Sequence, residues 1–285
     1  MPLRESELIL NSDGSIYHLN LHPGDVAPTV ITVGDPDRVA AVSKHFDSLE
    51  LQKGKREFVA HTGYLNQKRL TVISTGIGTD NIDIVLNELD ALVNVDFASR
   101  TIKKDLTHLD IVRIGTSGAL QADIPVDSFL ISERAIGFDG LFQFYTAEDS
   151  PFATHFSSYL QDHGVSIAHY VTEASKSLCQ QLDSNRIRFG VTVTNAGFYG
   201  PQGRKIRLSP KYPDLNELLQ TYRFEGRPLT NLEMETAGIY GLATALGHHA
   251  VSMNAILANR ATGAFSTRPA DTVEALIQYT LEQLT

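Results

Sequence analysis

Thr29-Val30-Ile31-Thr32-Val33-Gly34-Asp35-Pro36-Asp37-Arg38 reads as a buried strand that ends in an anion-binding turn and opens a helix. Residues 29–33 are apolar and β-branched, as a strand buried on both faces requires. Gly34 allows a sharp turn and a close backbone approach. Asp35 is a good N-cap, and Pro36 falls at the first helical position, where its missing N–H costs nothing. Val39, Val42 and Phe46 continue at helical spacing. Free amides at a helix start attract anions. Arg38 lies in that first turn, where a cation opposes the helix dipole. Its charge therefore faces either solvent or an anionic partner.

The rest of the composition frames this motif. The chain has 285 residues, 42% of them hydrophobic and 20% charged, enough for a large core. Its formal net charge of −9 argues against general binding to nucleic acid or to an anionic membrane. No stretch approaches the roughly 18–20 apolar residues of a membrane span. The first residues, Met1-Pro2-Leu3-Arg4-Glu5-Ser6-Glu7, lack an apolar signal core. Cys179 is the single cysteine, so the sequence offers no internal disulfide and no cysteine metal cluster. A cytoplasmic location is expected. In so acidic a chain, attraction for an anion has to be built locally from arginines.

Strand-like and helix-like runs alternate outward from the opening motif. Strands are expected at 29–33, 69–75, 110–116, 128–136, 188–194 and 250–258. Ile82, Val85, Leu86, Leu89 and Val93 mark one helix face, and Ile239, Leu242, Ala243 and Leu246 a second. Val273, Leu276, Ile277, Leu281 and Leu284 mark a third. No linker, repeat or low-complexity tract divides the chain, so one α/β domain over residues 1–285 is expected. In such sheets ligands bind at the carboxyl ends of strands, and the unusual residues fall there. Arg113 interrupts an apolar strand, a costly placement unless an anion meets it. Gly115-Thr116-Ser117-Gly118 then reads as a turn whose hydroxyls and amides suit phosphate oxygens. Ser74-Thr75-Gly76-Ile77-Gly78-Thr79-Asp80-Asn81 opens like a dinucleotide motif, but Asn81 occupies the third glycine position and no acidic ribose-binding strand follows.

Two further segments carry chemistry. Residues 195–204 join Phe198 and Tyr199, a stacking surface, to Gln202 and Arg204 on a turn stiffened by Gly200-Pro201. A side-chain amide both donates and accepts, so Gln202 can read an imide edge while Arg204 holds a carbonyl oxygen. Glu233-Met234-Glu235-Thr236 opens an expected helix at 237–246, where acidic residues also simply suit the dipole.

In chain order, the segments Gly34 to Arg38, Arg56-Glu57-Phe58, 74–78, 113–116, Phe198 with Gln202 and Arg204, and Glu233-Met234-Glu235 resemble the nucleoside phosphorylase family. Within it they are most similar to the uridine phosphorylase branch. The similarity runs from Tyr17-His18-Leu19 to Asn259-Arg260. It implies a single α/β domain with a twisted, mixed, partly barrel-like central sheet flanked by helices. It also implies phosphate held by Gly34, Arg38, Arg113 and Thr116, with Arg56 reaching in from a neighbouring subunit. Ribose would be held by Met234 and Glu235, with the neighbour's His18 near the 5′-hydroxyl. The base would lie against Phe198, with Gln202 and Arg204 on the uracil edge. Thr116, Ser117, Gly118 and Glu233 complete the implied substrate contacts. Arg113, Gln202, Arg204 and Glu235 are the implied catalytic groups.

Base preference follows from single positions. The purine members carry a proton-donating Asp near residue 259, where this chain has Asn259, an amide that cannot serve as such an acid. They also lack the pair that Gln202 and Arg204 supply. The implied reaction is uridine plus phosphate giving uracil plus ribose 1-phosphate, reversibly, with no cofactor beyond the co-substrate phosphate. The alternatives are a purine nucleoside phosphorylase, a nucleosidase, or a non-catalytic nucleoside-binding protein of the same fold. The family turn reads Phe-Tyr-Pro-Gly, whereas here Gly200-Pro201 are exchanged. A homo-oligomer, dimer or trimer of dimers, is implied, with residues 1–28 contributing to the subunit interface. Some members hold a cation there. Glu57, Ile77 and Asn81, the last in place of a Ser, mark where K⁺ or Ca²⁺ would sit.

Overall fold

The computed structural model describes residues 2–146 and 150–285. Contacts gather these residues into two compact units, one made of the chain up to Arg113 with Leu242–Ala250, the other of Ile114–Gly241 with Val251–Leu284.

In chain order, the first part of the chain forms β1 (Thr29–Val33), α1 (Pro36–Ser43), β2 (Ser48–Lys55), β3 (Phe58–Leu65) and β4 (Lys68–Ser74). It continues through α2 (Thr79–Asn94), β5 (Val95–Asp96), β6 (Thr101–Ile102) and β7 (Asp110–Ala119). All five residues of β1 are buried, as the unbroken β-branched run demands. β1 lies parallel to both β4 and β7, with Val33 opposite Ser74 and Thr32 opposite Arg113. The carboxyl ends of β1 and β4 therefore share one edge, where Gly34 follows, and Arg113, the fourth residue of β7, lies beside the end of β1. β2, β3 and β4 continue this sheet as an antiparallel meander. α1 begins as expected: Pro36 is its first residue, and the Asp35 carboxylate accepts from the Asp37 amide at 3.0 Å. It stops at Ser43, so Phe46 lies beyond the helix. α2 buries Ile82, Val85, Leu86 and Leu89, with Leu92 rather than Val93 completing the face.

The second part comprises β8 (Phe129–Gly137), α3 (Pro151–Asp162), β9 (Tyr170–Glu173), α4 (Lys176–Gln181), β10 (Ile187–Thr194), α5 (Leu215–Thr221), β11 (Arg223–Phe224) and β12 (Arg227–Glu233). α6 (Thr236–Leu246), β13 (His249–Asn259) and α7 (Pro269–Leu284) follow. β10 runs parallel to β8 and β12, and β13 antiparallel to β8. β12 also pairs antiparallel with the end of β7, Asn231 opposite Ala119 and Leu232 opposite Gly118. That last pairing closes a ring of β7, β12, β10, β8 and β13, the barrel-like element. The core beside it is aromatic: Phe156 and Tyr222 are fully buried and meet edge-to-face at 4.9 Å.

Two local expectations are corrected here. Gly115-Thr116-Ser117-Gly118 is not a turn, because β7 continues to Ala119. The reason is tertiary: Gly118 and Ala119 find ladder partners on β12, and the Asn231 amide donates to Ser117 Oγ at 3.0 Å. Glu233 is the last residue of β12 rather than part of a first helical turn, since α6 starts only at Thr236.

Candidate active site

On the first unit, Gly34 and Arg38 follow the carboxyl end of β1, and Arg113 of β7 pairs with Thr32 beside that end. Gly34 follows β1 directly, and a Cβ placed there would lie 3.4 Å from the Gly76 carbonyl, so the two strand-end turns run close together. Arg38, half-buried, sits in the first turn of α1 and its amide donates to the Asp35 carbonyl at 3.0 Å. Arg113 is only 6% exposed and is flanked by the fully buried Val112 and Ile114. A guanidinium sunk this deep is costly unless anionic or hydrogen-bonding groups meet it.

Arg56 and His18 occupy a different patch of the same unit. Arg56 forms the tight β2–β3 turn with a left-handed backbone (φ 57) and is exposed. Its guanidinium lies 6.0 Å from the Tyr17 ring, and the His18 ring meets Tyr17 edge-on at 4.7 Å. Glu88 on α2 anchors the segment, accepting from the amides of His18 and Leu19 and pairing with His18 Nδ1 at 2.7 Å. His18 therefore presents Nε2 as its remaining ring nitrogen. Glu57 and Asn81 approach one another around Gly76: a Cβ there would come within 2.3 Å of Asn81 Nδ2 and 3.2 Å of Glu57 Cγ. With its φ of +72, Gly76 is a position only glycine fills without strain. Ile77 beside them is 68% exposed.

On the second unit, the base-reading candidates form one tight cluster. Gln202 sits in a short 3-10 turn, Gly200–Gln202, and is 4% exposed. Arg204 donates to Gln202 Oε1 at 2.7 Å and to the Phe198 carbonyl at 2.7 Å. Its guanidinium lies 3.7 Å from the centroid of the Phe198 ring. Arg204 thus takes the amide oxygen of Gln202, and the Nε2 donor stays outside that bond. Phe198 itself is half exposed, as a stacking platform must be. The exchanged Gly200-Pro201 thus leaves the Phe198–Gln202–Arg204 cluster assembled. Burial, and then the neighbouring charge of Arg260, pull the Arg204 pKa below its ordinary value, with Tyr199 acting the other way.

Arg260 is a residue that sequence reasoning passes over. Its Nη2 donates to the Gln202 carbonyl at 3.2 Å, and its stem packs 3.7 Å from the Cβ position of Gly118. The signal available was its position directly after Asn259, at the end of β13. Asn259 is spent structurally: its Nδ2 donates to the carbonyls of Gln121 and Ile124, and its Oδ1 accepts the amides of Ala261 and Thr262. Thr116 is half-buried on β7, and Ser117 is tied to Asn231.

The ribose candidates lie between β12 and α6. Met234 is half-buried and Glu235 is 6% exposed. Glu233 is 4% exposed, and its Oε2 accepts the amides of both Glu235 and Thr236 at 2.9 Å. Its Oε1 accepts from Thr194 Oγ1 at 2.5 Å.

The chain and its fold resemble known proteins. The chain belongs to the phosphorylase superfamily, whose family model matches residues 28–282. A uridine phosphorylase of Thermococcus kodakarensis is 31% identical over 253 residues, covering 89% of this chain and 80% of that protein. A uridine phosphorylase of Haemophilus influenzae is 29% identical, covering 86% of each. Among solved structures, a Trypanosoma brucei nucleoside phosphorylase described as showing uridine phosphorylase activity superposes with a TM-score of 0.86 at 28% identity, covering 97% of this chain and 99% of that one. The fold is the α/β nucleoside phosphorylase fold, with its mixed, partly ring-like sheet and flanking helices. No helix among the described residues is long and apolar enough to cross a membrane.

Proposed function

We propose that this chain is a pentosyltransferase that catalyses reversible phosphorolysis of uridine to uracil and ribose 1-phosphate. The observation that carries the base preference is the Phe198–Gln202–Arg204 cluster. It joins a stacking face, an amide donor and a guanidinium within hydrogen-bond reach of one another. Asn259, with both ends of its amide already engaged, supplies no proton to a purine.

Breaking the glycosidic bond leaves positive charge on the sugar and negative charge on the departing base. Arg38 and Arg113 neutralise and aim phosphate, the Gly34 amide and the Thr116 hydroxyl serve as further donors, and phosphate then traps the sugar cation at C1′. Arg204 and Gln202 meet the charge that collects on the uracil oxygens, preorganised before the bond breaks. Glu235, with the Met234 backbone, fixes the ribose hydroxyls. Cleavage needs no covalent nucleophile in this scheme.

The same reading includes a homodimer as smallest active unit, with larger assemblies built from it. Arg56 and His18 then complete the partner's site; both lie against the Tyr17 ring, which supports their acting as one patch. Glu57 and Asn81 offer oxygen donors for a K⁺ or Ca²⁺ ion at that interface. A cytoplasmic site of action belongs to this reading too, supported by a sequence with one cysteine and so no internal disulfide.

The test compares uridine with inosine, each with and without phosphate. Uracil release that needs phosphate and yields ribose 1-phosphate is expected, with inosine left intact. Preferred cleavage of inosine, or uridine cleavage independent of phosphate, would overturn the reading.

A further inference from the structure

The capping arrangement at the start of α6 does more than end a strand. Glu233 is buried, and three acceptor bonds engage its carboxylate: the Glu235 and Thr236 amides on Oε2 and the Thr194 hydroxyl on Oε1. Thr194 Oγ1 in turn accepts the Ala237 amide at 2.9 Å. Glu233 and Thr194 thereby satisfy three of the first free N–H groups of the helix, which would otherwise be buried without partners. The backbone adds a further tie, because the Asn195 amide donates to the Glu233 carbonyl at 2.8 Å. The ends of β10 and β12 and the start of α6 are thus clamped through one carboxylate.

Met234 and Glu235 are the two residues that follow Glu233, and they sit inside this clamp. The Glu235 amide is itself one of the bonded groups. A buried anion at a helix start is held by the dipole as well as by its hydrogen bonds. The carboxylate of Glu233 is therefore directed at backbone, while that of Glu235 is held on a rigid element. We infer that Glu233, with Thr194, is a positioning residue for the ribose subsite: it fixes the backbone of Met234 and Glu235 and does not itself bind the sugar. This rests on the reading that Glu235 holds the ribose hydroxyls.

Misplacing a binding group by about 1 Å can cost on the order of 10²-fold in rate. Glu233→Ala should therefore lower kcat/KM for uridine by about 10²-fold, and for 2′-deoxyuridine by clearly less, since that substrate lacks one hydroxyl for Glu235 to hold. Glu233→Gln keeps one carbonyl oxygen to accept amides and should recover most of the loss. Thr194→Val, nearly isosteric, should reproduce a milder form of the same shift in substrate preference. The decisive readout is a double-mutant cycle with Glu235→Ala. Once Glu235 is gone, removing Glu233 should change the uridine to 2′-deoxyuridine ratio less than threefold, as coupled groups do. Apparent affinity for phosphate should stay unchanged throughout. If Glu233→Ala cannot be purified folded, the Thr194→Val cycle with Glu235→Ala decides instead. Equal losses on both substrates, undiminished in the Glu235→Ala background, would refute the positioning role. A wild-type protein inactive on uridine would instead refute the functional reading, so the two failures are separable.

Discussion

Arg204→Ala tests the charge-stabilising role of the base cluster most directly. The substitution removes a guanidinium that makes two hydrogen bonds of 2.7 Å and lies 3.7 Å from the Phe198 centroid. Stacking of this kind at a half-exposed site contributes about 0.5–1 kcal/mol. That contact lies within the protein, with and without substrate, so its loss should appear mostly as a lower melting temperature. The larger effect is expected in the chemical step. Charge collects on the uracil oxygen only as the bond breaks, and losing one preorganised donor at such a centre costs about 2.7–4 kcal/mol, or 10²–10³ in kcat. The Gln202 amide, freed from its bond to Arg204, also loses its fixed orientation, so the upper end of the range is expected. Arg204→Lys should rescue little, because an ammonium cannot hold both the Phe198 carbonyl and the Gln202 oxygen in one plane. Steady-state kinetics with uridine and phosphate varied separately give the answer. The expected pattern is a 10²–10³ fall in kcat for uridine with an almost unchanged KM for phosphate. Turnover within threefold of wild type, or equal damage to the phosphate parameters in a variant that remains folded, would refute the reasoning.

Other substitutions probe separate parts of the molecule. Asn259→Asp should not create purine phosphorolysis; it turns two buried donors into acceptors facing the Gln121 and Ile124 carbonyls, and should cost about 2–6 kcal/mol, read as a lower melting temperature and no inosine cleavage. Arg56→Ala and Arg113→Ala should each be nearly inactive, yet refolding them together should restore about a quarter of wild-type activity if two-fold symmetric dimers exchange Arg56. Recovery of no activity in the mixture, with mixed dimers confirmed by mass, would place Arg56 in its own subunit's site. Burial holds the His61 pKa below its ordinary 6.5, so the folded state binds its proton less readily than the unfolded state. Stability should thus rise with pH up to about 6.5 and be lost below it. Melting curves between pH 5 and 7 should show a shallower dependence for His61→Gln than for wild type.

Much of the architecture was legible in the chain because local and tertiary preferences agree there. Residues 29–38 carry β-branched residues, a strand-ending glycine, an N-cap and a proline in the only order that suits strand, turn and helix. β2 was not legible: Ser48–Lys55 is polar and mostly exposed, and it is a strand because β3 offers a ladder. The end of β7 was misread for the converse reason. Gly115-Thr116-Ser117-Gly118 has turn chemistry, and only β12 lying alongside makes it extended.

For the candidate site, arginine and amide identities, and the missing acid at Asn259, were determined by sequence alone, because side-chain chemistry is a property of residue type. Which of those groups come together was decided by tertiary structure. Glu233 and Glu235 are the same residue two positions apart, yet one carboxylate is consumed by helix amides and the other is not part of that cap. Arg260 likewise joins Gln202 only because β13 ends beside the 195–204 loop. Hydrogen-bond partners lie as far apart as 58 residues in that pair, and no local pattern encodes a contact at such range.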